Sequence, residues 1–386
     1  MIITVVCDVL GEENNGTTIA SMNLIRHLKS QGHTVRILCA DQDKTHEENC
    51  YVVPNLSLGK LLNAYVKKVG VTLAKPQEDV IRRAIEGADH VHSMLPFLLG
   101  MKAVKICKEL GISITAGFHM QAENFTSYIK LNNLSPLNKG VYKFIYKHFY
   151  KHVDGIHYPT DFIRNVFEKN VKKTTPAYVI SNGVNSYVKK RESEKPEEYK
   201  NKTVILTTGR YAREKAQDVL IKAVKLSKYA SSIQLILGGQ GVKEKQYKKL
   251  SKSLPIAPVF KFYSRTEIID VLNYADIYVH PAEIELEGIS CLEAIACGKL
   301  TIVSSSPRSA TCGFALDEKC IFKNRNPKDL ARVIDYWIEH PQERAEYEKR
   351  YLEQATVYEQ TECMKKTEEM MVEVYNEKQR TKNNIL

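Results

Sequence analysis

The alternation of strand-like and helix-like runs that begins at Ile2 starts over at Lys202, and a chain that repeats this rhythm has few folds open to it. Ile2 to Cys7 is an apolar run of strand length. Thr18 to Gln31 then sets Ile19, Met22, Ile25 and Leu28 on one side of a helix stopped by Gly32, and Thr34 to Ala40 is the next strand. In the second half the strand Thr203 to Thr208 leads through a loop, Gly209 to Lys215, into the helix Ala216 to Lys228. The strand Ile233 to Leu237 follows, then Gly238-Gly239 and another helix. Strands separated by helices pair in parallel, so the expectation is an α/β chain of two doubly wound domains.

At 386 residues the chain is too long for one ordinary core. Val179-Ile-Ser-Asn-Gly-Val-Asn185 reads as a strand end entering an Asn-Gly turn, and the charged stretch Lys189 to Asn201 as a linker. The domains are therefore expected at residues 1–182 and 183–361. A last helix within 362–386, about Glu362 to Lys378 with Met364, Met371 and Val374, either caps the second domain or crosses back to the first. A mean hydropathy of −0.32 leaves no room for a membrane span. The N-terminus lacks a cationic region and meets Asp8 at once, which fits a buried first strand rather than a signal peptide, so a cytoplasmic protein is expected. Nine cysteines, an odd number without short paired spacing, argue for reduced thiols and against a zinc site or a disulfide framework.

In open parallel sheets ligands bind beyond the carboxyl ends of the strands, where a helix start aims unpaired amides at an anion. Such a place lies after the apolar run ending at His280. Ser290 to Cys297 can form a helix ended by Gly298 in a left-handed cap, which puts Glu293 in its first turn and Glu285 in the loop before it. Carboxylates beside an anion site suit a ligand that also presents hydroxyls, such as the sugar and ribose of a nucleotide-sugar. In Thr208-Gly209-Arg210-Tyr-Ala-Arg-Glu-Lys215, an arginine leaving a strand and a lysine five residues on can converge on a diphosphate, the first through its fork and the second as a point charge. The same loop also reads as a solvated segment of a lysine-rich protein. Gly11-Glu-Glu-Asn-Asn-Gly16-Thr17-Thr18 stands where dinucleotide folds grip pyrophosphate, but it is neither G-x-G-x-x-G nor a P-loop. It is either a ligand contact through Gly16 or a tight turn with Thr17 or Thr18 as N-cap.

The order of these segments resembles the retaining glycosyltransferases of family 4. The likeness is carried by Gly209-Arg210, Glu214-Lys215, Leu235-Ile-Leu-Gly-Gly-Gln-Gly241, Ala275-Asp276-Ile-Tyr-Val-His-Pro281, and Glu285 with Glu293-Ala-Ile-Ala-Cys-Gly298. Val179 to Val184 is similar to that family's domain junction, and Tyr158-Pro-Thr-Asp-Phe-Ile-Arg164 to the segment before it. The resemblance implies a GT-B fold: two Rossmann-like domains facing across a cleft, with a C-terminal helix returning to the first. Within the family, Asn14-Asn-Gly-Thr-Thr-Ile-Ala20, His280-Pro-Ala-Glu-Ile-Glu285, Ile289-Ser-Cys-Leu-Glu-Ala294 and Phe314-Ala-Leu-Asp-Glu318 are most similar to bacterial enzymes that glucosylate diacylglycerol.

Carried over by position, the resemblance implies that Arg210 and Lys215 hold the diphosphate, Glu293 the ribose hydroxyls and Glu285 the transferred sugar, with Gly16, Ile289 and Ser290 in the same donor site. His119, in Thr115-Ala-Gly-Phe-His119, falls where the family has a histidine facing the donor sugar; on its own pattern it reads more readily as structural. The commoner family pattern has Gly and Phe after the first glutamate, where this chain has Leu286 and Glu287. The spacing to Glu293 favours Glu285 over Glu287. Arg210, Lys215 and the amides at the helix start can take the leaving diphosphate's charge without a metal. No permanently bound cofactor is implied, and the expected donor is a nucleotide-sugar, UDP-glucose for the glucosylating enzymes.

Charge bears on the acceptor. The net of +11 is uneven, since residues 1–190 carry 24 basic and 16 acidic side chains. Pro136 to Lys151 sets Lys139, Lys143, Lys147 and Lys151 opposite an apolar stripe of Val141, Ile145 and Phe149, with Tyr142, Tyr146 and Tyr150 alongside. Such a helix suits an anionic bilayer surface, and it equally suits a solvated amphipathic helix. A second basic stretch, Lys60 to Lys75 with Leu61, Leu62, Val66, Val69 and Leu73, favours the membrane. The leading expectation is a hexosyltransferase using a nucleotide-sugar and a lipid acceptor such as diacylglycerol, peripheral on the inner face of the cell membrane. A family member acting on a soluble or polysaccharide acceptor is the second. A nucleic-acid-binding protein, raised by the pI near 9.0, comes last because the chain shows no binding module for nucleic acid.

Overall fold

The computed structural model describes residues 1–8, 10, 16–57, 73–123 and 135–384. The Gly11 loop up to Asn15 and most of the Lys60 to Lys75 stretch lie outside the described residues. The chain forms two compact units. One runs from Met1 to Asn182 and takes in the residues from Cys363 onward; the other is Gly183–Glu362.

In the first unit, the described residues form seven parallel strands ordered β3-β2-β1-β4-β5-β6-β7. They are β1 (Ile2–Val6), β2 (Thr34–Cys39), β3 (Cys50–Val52), β4 (His90–Ser93), β5 (Ser113–Gly117), β6 (Gly155–Tyr158) and β7 (Ala177–Val179). The helices Gly16–Ser30, Glu78–Ile85, Leu98–Leu110, Ser135–His148 and Asp161–Val171 connect them. The central strands β4 and β5 are buried at every residue, whereas the edge strands β3 and β7 are not. That contrast is what helices on both faces of a parallel sheet produce. Thr17 and Thr18 lie inside the first helix rather than capping it, because the helix already starts at Gly16. The helix Gln360–Asn383 buries Cys363, Met364, Met370 and Met371 among Ile3, Val5, Leu24 and Ile25. Its Glu368 meets His27 and His33 at 2.8 Å each, and its Lys378 meets Asp154 at 2.8 Å.

The second unit holds six parallel strands in the order β10-β9-β8-β11-β12-β13. They are β8 (Thr203–Thr208), β9 (Ile233–Gly238), β10 (Val259–Lys261), β11 (Ile277–His280), β12 (Leu300–Ser304) and β13 (Ile321–Phe322). The expected helices form with local punctuation. Ser264 and Glu267 make a reciprocal capping box on Arg265–Tyr274, and Asn326 caps Pro327–Glu339 from a side chain that accepts from Lys328 and Asp329. The only tryptophan, Trp337, is fully buried and donates to the Lys319 carbonyl at 3.0 Å. In both sheets the strand order reverses once, between β1 and β4 and between β8 and β11.

Two expectations change. The stretch Lys189 to Asn201 is no free linker: Arg191 pairs with Asp270 at 2.6 Å and Lys195 with Asp276 at 2.7 Å, so acidic groups on the second unit strap it down. In Ser135–His148 and the turn after it, Ile145 and Phe149 are buried as expected, but so are Tyr142 and Tyr150. Tyr142 donates to Glu123 at 2.6 Å and Tyr150 to the Gly117 carbonyl at 3.0 Å, so these rings belong to the core rather than to a flanking surface. The exposed apolar groups are Leu137 and Phe144, the latter 56% exposed, on a face shared with Lys143, Lys147 and Lys151.

Candidate active site

The second sheet's order reverses between β8 and β11, and the loops leaving those two strands carry Arg210, Lys215 and Glu285. A reversal opens a crevice because the helices that follow the two strands run to opposite faces. The loop after β8 is tightly built. Tyr211 is buried and its hydroxyl donates to the Leu237 carbonyl at 2.6 Å; Tyr247 donates to the Ala212 carbonyl at 3.0 Å; the Gln217 amide donates to the Arg210 carbonyl at 2.9 Å. A β-carbon on Gly239 would lie 2.1 Å from the Gly209 carbonyl oxygen, so glycine lets the loops after β8 and β9 pass this closely. Arg213 to Lys215 form a single 3-10 turn, and Ala216 follows at φ 54°, a left-handed residue that turns the chain sharply behind Lys215.

From this turn Lys215 reaches Glu285 and bonds its Oε2. His280, at the end of β11 and only 2% exposed, bonds the same oxygen through Nε2 at 3.1 Å. Burial alone would push the Glu285 carboxyl up, but Lys215 and His280 outweigh it and hold it down at about 2. The carboxylate is therefore ionised at neutral pH. Both side-chain bonds fall on Oε2, so that among the described residues Oε1 is left to accept from a ligand. Arg210 is 55% exposed and meets Glu214 at 3.4 Å.

The helix Ile289–Ala296 begins one residue earlier than expected, behind Gly288 at φ 94°. A β-carbon on Gly288 would stand 2.5 Å from Thr311 Cγ2 and 3.1 Å from Glu285 Cγ, so this turn requires glycine twice over. The amides of Ile289 and Ser290 are the first of the helix, ahead of the Cys291 amide that bonds the Gly288 carbonyl at 2.8 Å. Gly298 follows the helix in the expected left-handed conformation, φ 66°. Glu293 is its fifth residue, past the first turn where the sequence reading had it, and burial pushes its carboxyl up to about 7 against the opposing charge of Arg265. Glu287 is also buried, but it is Glu285 that meets Lys215 and His280.

His119 and Gly16 belong to the first unit. His119 lies two residues past β5, its Nε2 is buried without a hydrogen-bond partner among the described residues, and it sits where a β-carbon on Gly117 would be, 2.4 Å away. Burial, with His157 at 5.8 Å ring to ring, holds the imidazole neutral, its pKa down at about 3. Gly16 opens the first helix; a β-carbon there would meet nothing within 4 Å, so packing does not demand glycine at that position. Among the described residues no group of three or more His, Cys, Asp or Glu side chains is placed to hold a metal ion, and no helix is long and apolar enough to cross a membrane.

Sequence reading overlooked the side chains behind the glutamate. Tyr278 and His280 alternate on one face of β11, and Thr208 ends the neighbouring strand; their polarity inside an apolar strand was the available signal.

Two Rossmann-like parallel-sheet units, with cationic and carboxylate side chains gathered at a switch point, define the GT-B class of sugar transferases. The chain belongs to the family 4 glycosyltransferases: residues 14–186 match Glycosyltransferase Family 4 and residues 188–354 match Glycosyl transferases group 1. It is 23% identical over 316 residues to the alpha-monoglucosyldiacylglycerol synthase of Streptococcus pneumoniae, covering 76% of this chain and 68% of that one. Among solved structures it is similar to Anabaena HepE in complex with UDP, with a TM-score of 0.74 and 16% identity, covering 97% of this chain and 100% of that one. The catalytic domain of cholesterol-alpha-glucosyltransferase from Helicobacter pylori aligns at 44% identity over 40% of this chain and 98% of that one, with a TM-score of 0.39.

Proposed function

We propose that this chain moves a hexose, glucose from UDP-glucose, with retention onto a membrane lipid such as 1,2-diacylglycerol, producing an α-glycolipid at the inner face of the cell membrane. The observation that carries the reading is the meeting of Lys215 and His280 on one oxygen of Glu285 at a strand-order reversal. An ionised carboxylate with one oxygen unbonded among the described residues accepts sugar hydroxyls, and Lys215 beside it, with Arg210 on the same loop, can take the charge of a departing diphosphate. Arg210 and Lys215 bind that diphosphate, and the amides of Ile289 and Ser290 with the helix dipole add to the same field. Glu293 accepts from the ribose hydroxyls. With these groups neutralising the leaving group, transfer needs no bound metal and no resident cofactor. The acceptor hydroxyl attacks from the face the diphosphate leaves. In the first unit we assign His119, through its neutral ring, and Gly16, through its backbone, to the donor as well.

Two supports narrow the substrates. The pneumococcal relative is named for a glucosyldiacylglycerol product, and an Anabaena structure of the same fold holds UDP-glucose. The exposed face of Ser135–His148 combines Lys143 and Lys147 with Leu137 and Phe144, which matches the chemistry of an anionic bilayer surface. Mass-resolved product analysis tests the whole reading: UDP-glucose, UDP-galactose and UDP-N-acetylglucosamine are each offered with diacylglycerol, another membrane lipid and a soluble glucan. An α-glucosyl lipid from UDP-glucose is expected. Transfer only to the soluble glucan, or a β-linked product, overturns the acceptor or the stereochemistry.

A further inference from the structure

Glu285 is held from behind by a line of hydroxyls, the half-buried Thr208 and Ser290 and the buried Tyr278, that ends on one imidazole. His280 places Nε2 at 3.1 Å from Glu285 Oε2 and turns Nδ1 toward the Tyr278 hydroxyl at 3.4 Å. Tyr278 is fully buried, its ring stacked on His280 at 6.2 Å with an interplanar angle of 23°, and its hydroxyl lies 2.8 Å from Thr208 Oγ1. Ser290, at the start of the site helix, also hydrogen-bonds that phenol. The pattern closes in one direction. Glu285 Oε2 only accepts, so Nε2 donates; Nδ1 is then left to accept from the phenol, whose oxygen accepts from Thr208 or Ser290.

We infer that His280, held in its Nε2–H tautomer by Glu285 and oriented through Nδ1 by Tyr278, is a positioning residue that keeps Glu285 oriented toward the sugar while Lys215 turns to the diphosphate. The inference rests on the assignment of Glu285 to the transferred sugar. Lys215 is bonded to Glu285 without ligand, yet the same ammonium is required at the departing phosphate, so the lysine cannot hold the carboxylate throughout turnover. His280 can. Its backbone is fixed in β11 between β8 and β12, its buried ring is bonded through both nitrogens, and its bond to the carboxylate falls on Oε2. The titratable and charged groups around this line are Lys215 from the loop after β8, and Cys291 and Glu293 from the site helix, both within electrostatic reach of Tyr278. In metal sites the partner that orients a ligand from behind changes function 10- to 100-fold when removed, and the same scale is expected here.

The test compares His280→Ala, His280→Gln and Tyr278→Phe in the full chain, with melting temperature and UDP binding measured on each. His280→Ala is expected to lower kcat at least 10-fold with donor KM changed less than about threefold. His280→Gln, whose amide can donate from the Nε2 position, is expected to recover several-fold of that loss. Tyr278→Phe, which removes only a hydroxyl, keeps the fold accessible if the histidine variants do not express; it is expected to lower kcat severalfold and to shift the His280 Nδ1 resonance, which loses its donor, while Nε2 stays protonated against Glu285. Loss that tracks melting temperature, Gln no better than Ala, or a donor KM that rises as far as kcat falls overturns the inference. A wild-type enzyme that transfers no sugar to any acceptor refutes the functional assignment instead, and UDP affinity and the ring resonances still report on the relay.

Discussion

The backbone amide of Glu283 donates to the carbonyl oxygen of Glu214 at 2.7 Å, pinning the loop that carries Glu285 to the loop that carries Lys215. Glu214 is buried, and the Ile284 amide leans on the same carbonyl at 3.4 Å. Glu283 is itself held by Arg308, and by Arg325 at 2.6 Å. The cation and the carboxylate therefore do not meet by side-chain reach alone; the backbone of one loop sets the backbone of the other. Pre-set geometry of this kind is what lets a site stabilise developing charge without reorganising.

Glu285→Gln keeps the side chain's shape but loses the anion that Lys215 and His280 address. It is expected to fall mainly in turnover, with donor binding largely kept. Lys215→Ala removes both the partner of Glu285 and a cation of the diphosphate site, and a loss on the order of 2 to 4 kcal/mol of transition-state stabilisation is expected. Arg210→Ala belongs to the same class. Steady-state kinetics on the three variants, repeated in excess chelator, check the set. Activity abolished by chelation and restored by a divalent ion refutes transfer without a metal.

Gly288→Ala is the sharpest steric probe. At φ 94° the added β-carbon costs backbone strain of about 1 to 3 kcal/mol, and it enters the space of Thr311 Cγ2 and Glu285 Cγ. Turnover should drop at least 10-fold. Pairing the change with Thr311→Ser removes the nearer methyl and is expected to return part of the activity but not the strain, which thermal melts report separately. Full activity in the single variant is incompatible with this packing.

Glu293 links pH to both stability and donor binding. Its carboxyl stands at about 7 in the fold against an ordinary 4.5. A raised value means that its contribution to stability is fully present below pH 4.5 and is lost as pH rises through 7. The ionised form is the one that costs, by at most about 3 kcal/mol and less wherever water reaches the half-buried side chain. Glu293→Gln should therefore match the wild type near pH 4.5 and melt higher at pH 8. Ribose hydroxyls donate to the ionised form, so wild-type affinity for UDP is expected to gain on that of the Gln variant between pH 6 and 8. Parallel melting curves across this range refute the assignment.

Sequence carried the strands, the switch-point loops and the cation–carboxylate set, because each depends on local chemistry: apolar runs, a glycine stop, charge just past a strand end. Arg210, Lys215 and Glu285 lay in three recognisable words, and the structure joins two of them directly. What stayed hidden depends on which face a residue takes in three dimensions. Tyr142 and Tyr150 share a helical rhythm with the surface lysines, and only the Glu123 carboxylate and the Gly117 carbonyl waiting beneath them decide that they turn inward. The strap at Arg191 is set by Asp270, 79 residues away, and the register of Glu293 in its helix moved because Gly288 starts that helix early.

The basic helix tests the membrane reading. Lys143, Lys147 and Lys151 are exposed and Lys139 half-buried, while Phe144 stands out beside them. Near an anionic surface each lysine contributes roughly 1 kcal/mol, so changing all four to Gln should weaken vesicle binding by orders of magnitude. Phe144→Ser removes an apolar contact instead of a charge, and should weaken binding at high and low salt alike. The native attachment should weaken with salt, since the surface potential decays within a Debye length of about 10 Å at 0.1 M. Ile145 and Phe149 hold the helix to the core and are left intact in both variants, so melting temperature is expected to stay within a few degrees of the native value. Transfer to a detergent-dispersed acceptor is expected to suffer far less than transfer on vesicles. Flotation with vesicles of anionic and of neutral lipid, across a salt series, separates the outcomes. Equal and salt-insensitive binding of wild type and quadruple variant would return these lysines to the role of a solvated face.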